Sequence, residues 1–238
     1  FWERMKIINF TQFNNAQKYI SGEKHMQEGS RKDLSFGKIV RSEEVKIQKT
    51  NGKVENLNFV EYEPGDVYDK EQIEKLEQDW VFADYISSIA SSFKWSSKFS
   101  SSEGQRKNYY YGLEDKDGKT LVITDTIHHT FPKDDIYISY LQAKPDEMYG
   151  SNKRHYKGLG ATLISEIAKL AKEADKDYVS TTSTNDDFWD KMKYFENFSN
   201  HPADKGQLRL DKDNYDDYIA FVEGENLDTA GQRLDLGA

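Results

Sequence analysis

The sequence predicts an α+β fold of the α/β/α kind: a mixed, mostly antiparallel sheet flanked by helices, with a small N-terminal extension. Three observations carry this. Asn108 to Glu114 and Thr120 to Ile127 are β-branched and aromatic runs around Asp115-Lys116-Asp117-Gly118, the signature of a hairpin. Leu159, Leu163, Ile164, Ile167, Leu170 and Ala171 recur at helical spacing. The elements then follow as strand, two helices, three strands, helix, strand, helix, two strands, an order that places helices on the faces of one sheet.

Taken along the chain, Thr11 to Ile20 reads as a short helix and Ser35 to Gln48 as strand-like. Thr50-Asn51-Gly52-Lys53 is a hairpin turn, read as type I′ because Asn-Gly tolerates positive φ. Leu57 to Tyr62 is a strand stopped by Pro64-Gly65. Asp69 to Phe93 is helical in two pieces, with Ile73, Leu76, Trp80 and then Phe82, Tyr85, Ile86, Ile89 and Phe93 recurring at helical spacing. Asp135 to Ala143 is a strand whose Ile136, Ile138 and Tyr140 face one way and Tyr137, Ser139 and Leu141 the other. In the helix after Lys157, Glu166, Lys169, Lys172 and Glu173 face outward. Tyr178 to Thr182 is a short strand, Thr184 or Asn185 caps a helix from Asp186 to about Phe195, and Leu208 to Leu210 and Tyr218 to Val222 close the chain as strands. The domain boundaries are read as an extension over 1–56, a main domain over 57–223 and a flexible tail over 224–238.

Composition narrows the function classes. The chain has 238 residues, 13% of them aromatic, which suffices for a core despite 32% charged residues. Its formal net charge of -9 disfavours nucleic acid and favours cationic acceptors. Without cysteine there is no disulfide framework, thiolate nucleophile or cysteine zinc site, and a cytoplasmic setting fits. No apolar run approaches the roughly 20 residues that span a bilayer. No signal peptide is visible, and no His/Asp/Glu group has metal spacing, so no metal is expected.

The informative junction is Arg154-His155-Tyr156-Lys157-Gly158-Leu159-Gly160-Ala161, where a loop enters a helix. A helix start exposes unpaired N–H groups, and the helix dipole favours an anion there. Gly158 and Gly160 permit close approach of a pyrophosphate, and Lys153, Arg154 and Lys157 add positive charge. A tight turn needed only for packing is the competing reading. A Walker loop is excluded, because Ala161-Thr162 follows Gly160 where Lys-Ser/Thr is needed. A dinucleotide fingerprint is excluded by the missing third glycine and the late position.

This segment resembles the coenzyme-binding motif of the GNAT acyltransferase superfamily, Arg/Gln-x-x-Gly-x-Gly/Ala. Phe188-Trp189-Asp190-Lys191-Met192-Lys193-Tyr194 is similar to that family's Phe-Tyr-Glu-Lys-Leu-Gly-Phe helix, and the resemblance covers roughly residues 57–223. It implies an acetyl-CoA-dependent N-acetyltransferase acting on a small-molecule or protein amine. It further implies that Leu141, Gln142 and Ala143 hold the pantetheine arm and that Arg154 and the amides from Tyr156 to Ala161 hold the pyrophosphate. Asn185 contacts the coenzyme or merely caps its helix.

The sequence departs from the family pattern at three places. His155 stands at the Arg/Gln position, the loop from Pro145 to Gly158 is long, and Trp189 replaces the tyrosine that protonates the leaving thiolate. A shifted alignment puts Phe195 at that position, with Tyr194 beside it as the acid. Acyl transfer needs a neutral amine, and deprotonating a lysine-like amine at pH 7 costs roughly 4–5 kcal/mol. The candidate bases are His128, His129, Asp125, Asp134 and Asp135, at one strand end and the next strand start. A coenzyme A-binding or interaction module without efficient catalysis is the alternative.

Overall fold

The structure is a computed structural model that describes residues 42–81, 83–98, 106–129, 134–148, 151–182, 186–189, 192, 194–197 and 206–227. The chain divides into units 1–35 and 36–238, and every described residue belongs to the second. The helix expected over Thr11 to Ile20 lies outside the described residues, as do Thr184, Asn185 and residues 228–238.

The elements are β1 (Ser42–Gln48), β2 (Val54–Tyr62), α1 (Val67–Asp79), α2 (Ile86–Lys98), β3 (Arg106–Glu114), β4 (Thr120–His129), β5 (Asp135–Ala143), α3 (Leu159–Glu173), β6 (Tyr178–Thr182), α4 (Asp186–Trp189), β7 (Glu196–Asn197), β8 (Gln207–Asp211) and α5 (Tyr215–Leu227). They build one eight-stranded sheet in the order β1-β2-β3-β4-β5-β6-β8-β7. Every neighbouring pair is antiparallel except β5 and β6. The mixed, mostly antiparallel sheet flanked by helices is therefore the fold observed.

The alternation along each strand sorts the core onto two faces. Val60, Tyr62, Tyr110 and Ile123 meet Ile73, Leu76, Trp80, Ile86, Ile89 and Phe93 of the α1–α2 hairpin. Leu57, Phe59, Tyr111, Val122, Ile136 and Ile138 meet Leu163, Ile164 and Ile167 of α3 and Tyr215, Tyr218 and Val222 of α5. Asp66 starts α1 by accepting the Tyr68 and Asp69 amides at 2.8 and 3.1 Å, a side-chain cap.

Both hairpin turns use the same device. Gly52 N–H donates to the Lys49 carbonyl and Gly118 N–H to that of Asp115, with φ of 82° and 74° at the two glycines. Asn51 has no positive φ, so the expected type I′ turn is instead a turn closed by a left-handed glycine. β1, which the sequence reading leaves in an extension, is the edge strand of the sheet, and residue 56 falls within β2.

Four further expectations change. Tyr218 to Val222 is helical, because the buried residues Tyr215, Tyr218 and Val222 follow helical spacing while their β propensity suggested a strand. Glu166 is buried rather than outward, because α5 covers that side of α3 and Lys169 bridges Glu166 to Glu223 at 2.8 and 2.9 Å. Among the described residues the helix expected to reach Phe195 covers Asp186–Trp189 and excludes Met192 and Phe195, and Glu196–Asn197 is strand. The register between β4 and β5 jumps from Asp125↔Tyr140 to Thr126↔Ile138, leaving Ser139 as an extra residue. That bulge reverses the alternation, so Leu141 joins Ile136 and Ile138 on the α3 face and Tyr140 turns to the α1–α2 face.

Gly112 marks the tightest packing. A Cβ there would stand 2.9 Å from the Tyr62 ring and 3.0 Å from the Val122 carbonyl. The Tyr62 hydroxyl is held at 2.9 Å by buried Glu114 and Thr120, so the ring has no free direction to move. Gly112→Ala is expected to destabilise the protein by about 2–3 kcal/mol, the cost of overpacking, measured by urea unfolding.

Candidate active site

The site begins where β5 and β6 part. Their parallel pairing runs from Asp135↔Tyr178 to Ile138↔Thr181 and stops. β5 continues through Ala143 along β4, but among the described residues no strand pairs with its other edge beyond Ile138. The bulge at Ser139 sits at this divergence, and the Ser139 hydroxyl is buried with no hydrogen-bond partner among the described residues. Lys144 N–H donates to the Leu121 carbonyl on the β4 side at 2.8 Å. By alternation the N–H and C=O groups of Leu141 and Ala143 point to the open edge.

Gln142 then belongs to the scaffold. Its Oε1 accepts the Tyr85 N–H at 3.1 Å, and its Nε2 donates to the Ala143 carbonyl at 2.8 Å. Among the described residues the free edge is thereby reduced to the Leu141 amide and carbonyl and the Ala143 amide. Gln142 also ties the α1–α2 loop to β5, which sets the Tyr85 ring 5.7 Å from that of Tyr140.

The start of α3 lies close to β5 at Leu141. Gly158 is the helix cap, with φ 67° and ψ 19°, and no side chain caps the first turn. The left-handed conformation explains the glycine directly. Gly160 has a different reason: a Cβ there would lie 3.0 Å from the Phe188 ring and 3.6 Å from Leu141. The glycine that a ligand-based reading gives to phosphate approach is thus needed for packing α4 against the helix.

The amides expected to bind pyrophosphate are partly spent. Tyr156 N–H donates to Glu147 at 3.0 Å and Lys157 N–H to the Gln48 carbonyl at 2.9 Å. Those of Leu159, Gly160 and Ala161 lie in the first helical turn, which has no intrahelical acceptors for them. Arg154 Nε donates to the Tyr156 carbonyl at 2.6 Å and Lys157 Nζ to the Gln48 side chain at 3.3 Å. Both acceptors are neutral, so the two positive charges still act on an anion at the helix start.

The catalytic candidates separate. Asp125 and His129 lie on the α1–α2 face, whereas His128 turns to the α3 face, its ring 4.1 Å from that of Tyr109. His128 Nε2 is buried without a partner among the described residues, and burial together with the Lys176 and Lys107 charges lowers its pKa to about 3. It stays neutral at working pH and is a poor base. In the unfolded chain it protonates below about 6.5, so its contribution to stability is present above that pH and is lost as pH falls towards 3. His128→Phe is expected to remove up to about 1.4 kcal/mol of stability loss per pH unit between pH 6.5 and 4, read from urea unfolding across that range.

His129 is oriented by a buried carboxylate. Its Nδ1 lies 2.6 Å from Asp135 Oδ1, and Ser180 donates to the other oxygen at 2.6 Å. Lys176 secures the corner by donating to the His129 carbonyl at 2.8 Å and to Asp134 at 2.6 Å. Asp134 is thus tied up as an ion-pair partner. Asp125 is 2% exposed and sits opposite Tyr140, beside the bulge, with the Asn108 amide at 3.4 Å.

Tyr194 stands apart from this group. It has φ 72° and packs on Tyr218 and Phe221 of α5, with ring separations of 6.5 and 6.2 Å. Trp189 is buried between Phe188 and Phe195, which makes it a core residue. Sequence reasoning missed Ser139 and Glu147, since a bulge and a buried carboxylate under a loop leave no local pattern.

No family model and no curated protein matches this sequence. Solved structures do show partial likeness. Tetrahymena GCN5 is 10% identical with a TM-score of 0.40, covering 60% of this chain and 88% of its own. The PaiA N-acetyltransferase of Thermoplasma acidophilum, solved in complex with coenzyme A, is 17% identical with a TM-score of 0.39 over 60% and 92%. A tandem GNAT protein from the clavulanic acid biosynthesis pathway is 12% identical with a TM-score of 0.40 over 71% and 43%. No helix among the described residues is long and apolar enough to cross a membrane, and no described group of His, Asp and Glu has the arrangement of a metal site.

Proposed function

We propose that this chain is an acyl-coenzyme A-dependent N-acetyltransferase whose acceptor is an amine. The observation that carries the reading is the β5 edge, unpaired beyond Ile138 among the described residues, close to an uncapped helix start. Two hydrogen-bonding directions converge there: strand amides suited to an extended amide-bearing chain, and helix amides suited to a diphosphate. The orphaned Ser139 hydroxyl at the apex supports the fit, because a buried unpartnered polar atom is costly unless a ligand satisfies it.

Leu141 and Ala143 would hold the pantetheine arm, and Leu159, Gly160 and Ala161, with Arg154 and Lys157, the pyrophosphate. The thioester would supply an activated acyl group. The amine would enter from the α1–α2 face, between the Tyr85–Tyr140 pair and the bulge. Asp125 stands one strand spacing, about 4.8 Å, from β5 and takes the amine proton on a carboxylate oxygen, directly or through one water. His129 is the second base candidate. Its Nδ1 is fixed by Asp135, but it lies three residues, roughly 10 Å, from the divergence.

The core position of Trp189 and the outward site of Tyr194 remove both positions at which the resemblance offers an acid for the leaving thiol. A thiol of pKa about 8.5 departs as thiolate with little help, so turnover does not depend on one. These same two positions favour the alternative of a coenzyme A-binding protein without efficient turnover. Calorimetric titration with acetyl-CoA, followed by thiol release with a panel of amines, separates the readings. Binding with release supports the enzyme, binding alone the alternative, and no binding by the folded protein removes both.

A further inference from the structure

The loop that leads into α3 is clasped from two directions. Beneath it lies Glu147, a carboxylate only 6% exposed. Its Oε2 accepts the His155 and Tyr156 N–H groups at 2.9 and 3.0 Å, and its Oε1 lies 2.9 Å from His155 Nδ1. Beside it lies the β1–β2 turn. Thr50 N–H donates to the His155 carbonyl at 2.8 Å, and Lys157 N–H donates to the Gln48 carbonyl at 2.9 Å. Lys49 and Tyr156 form an antiparallel bridge, and the Thr50 hydroxyl donates to the Arg154 carbonyl at 3.2 Å.

A buried carboxylate just ahead of a helix start works against anion binding there, through like-charge repulsion. Its hydrogen bonds explain what it does instead. By holding the His155 and Tyr156 amides it fixes the path by which the chain enters the first turn of α3.

We propose that Glu147 is a positioning residue for the coenzyme diphosphate. It acts through the loop and touches no ligand. The β1–β2 hairpin is the second half of the same clasp, which makes the N-terminal strands part of the coenzyme site. This rests on the acyltransferase reading above.

The test compares coenzyme A with pantetheine, which lacks the diphosphate, by calorimetry on the full chain. Glu147→Ala is expected to weaken coenzyme A at least ten-fold while leaving pantetheine within two-fold. Glu147→Gln keeps an acceptor oxygen for both amides and drops the charge, so it is expected to restore or exceed wild-type affinity. Thr50→Pro removes the N–H and the hydroxyl at a turn position that suits proline, and is expected to cost three- to ten-fold for coenzyme A alone. If the alanine variant does not fold, the selective loss in Thr50→Pro carries the proposal and its absence overturns it. Equal losses for both ligands, or unchanged coenzyme A affinity in a folded Glu147→Ala, also overturn it. Failure of the wild-type protein to bind coenzyme A removes the acyltransferase reading and this proposal with it, an outcome distinct from selective failure of the variants.

Discussion

Gly158→Asp is expected to abolish measurable binding of acetyl-CoA in a protein that still folds. Gly158 holds φ 67° at the cap of α3, a conformation that aspartate adopts more readily than most residues, at a cost of about 1 kcal/mol. The new carboxylate would stand among the first-turn amides proposed to receive the diphosphate. At about 5 Å and an effective dielectric of about 20, each pair of like charges repels by roughly 3 kcal/mol, or more than a hundred-fold in affinity. A change of melting temperature of no more than about 5 °C would attribute the loss to the ligand site. Gly160→Glu gives no such separation, because its Cβ meets the Phe188 ring at 3.0 Å. That variant is expected to lose stability along with affinity. Unchanged acetyl-CoA affinity in Gly158→Asp would leave the left-handed turn as its glycine's sole reason and end the diphosphate assignment.

What the sequence made legible follows from how local each signal is. The β3–β4 hairpin, the α1–α2 pair and α3 each declare themselves within a single run of residues, through Asp115 to Gly118, the Ile73 to Phe93 spacing and the Leu159 to Ala171 stripe. α5 reads as a strand because Tyr218, Ile219, Phe221 and Val222 are good strand formers, while the contacts that make them helical come from α3, far away in sequence. The junction at Gly158 was legible because a left-handed cap needs glycine whatever surrounds it. The separate reason for Gly160 was not legible, since Phe188 reaches it only through the tertiary fold. The facing of Ser139, Tyr140 and Leu141 was lost to a bulge that strict alternation cannot reveal. Neighbouring His128 and His129 looked like a pair in sequence, yet adjacent strand residues point to opposite faces, and only one of them meets a buried carboxylate.

Asp125→Asn is expected to lower kcat by about 10²- to 10³-fold, the contribution typical of a general base, with the affinity for acetyl-CoA unchanged. The substitution keeps the shape of a side chain that is 2% exposed and lies near the Asn108 amide. These expectations separate a chemical role from a structural one, because a structural role would lower the melting temperature and the affinity together. His129→Gln provides the contrast. If Asp125 takes the proton, His129→Gln keeps most of the turnover and Asp125→Asn loses the acid limb of the pH–rate profile. If the Asp135-held imidazole is the base, that limb vanishes in His129→Gln instead, while Asp125→Asn retains it. The acceptor would then have to reach some 10 Å beyond the β5–β6 divergence, towards the Asp135↔Tyr178 end of the paired strands, so the same experiment fixes on which stretch of the α1–α2 face the amine is bound.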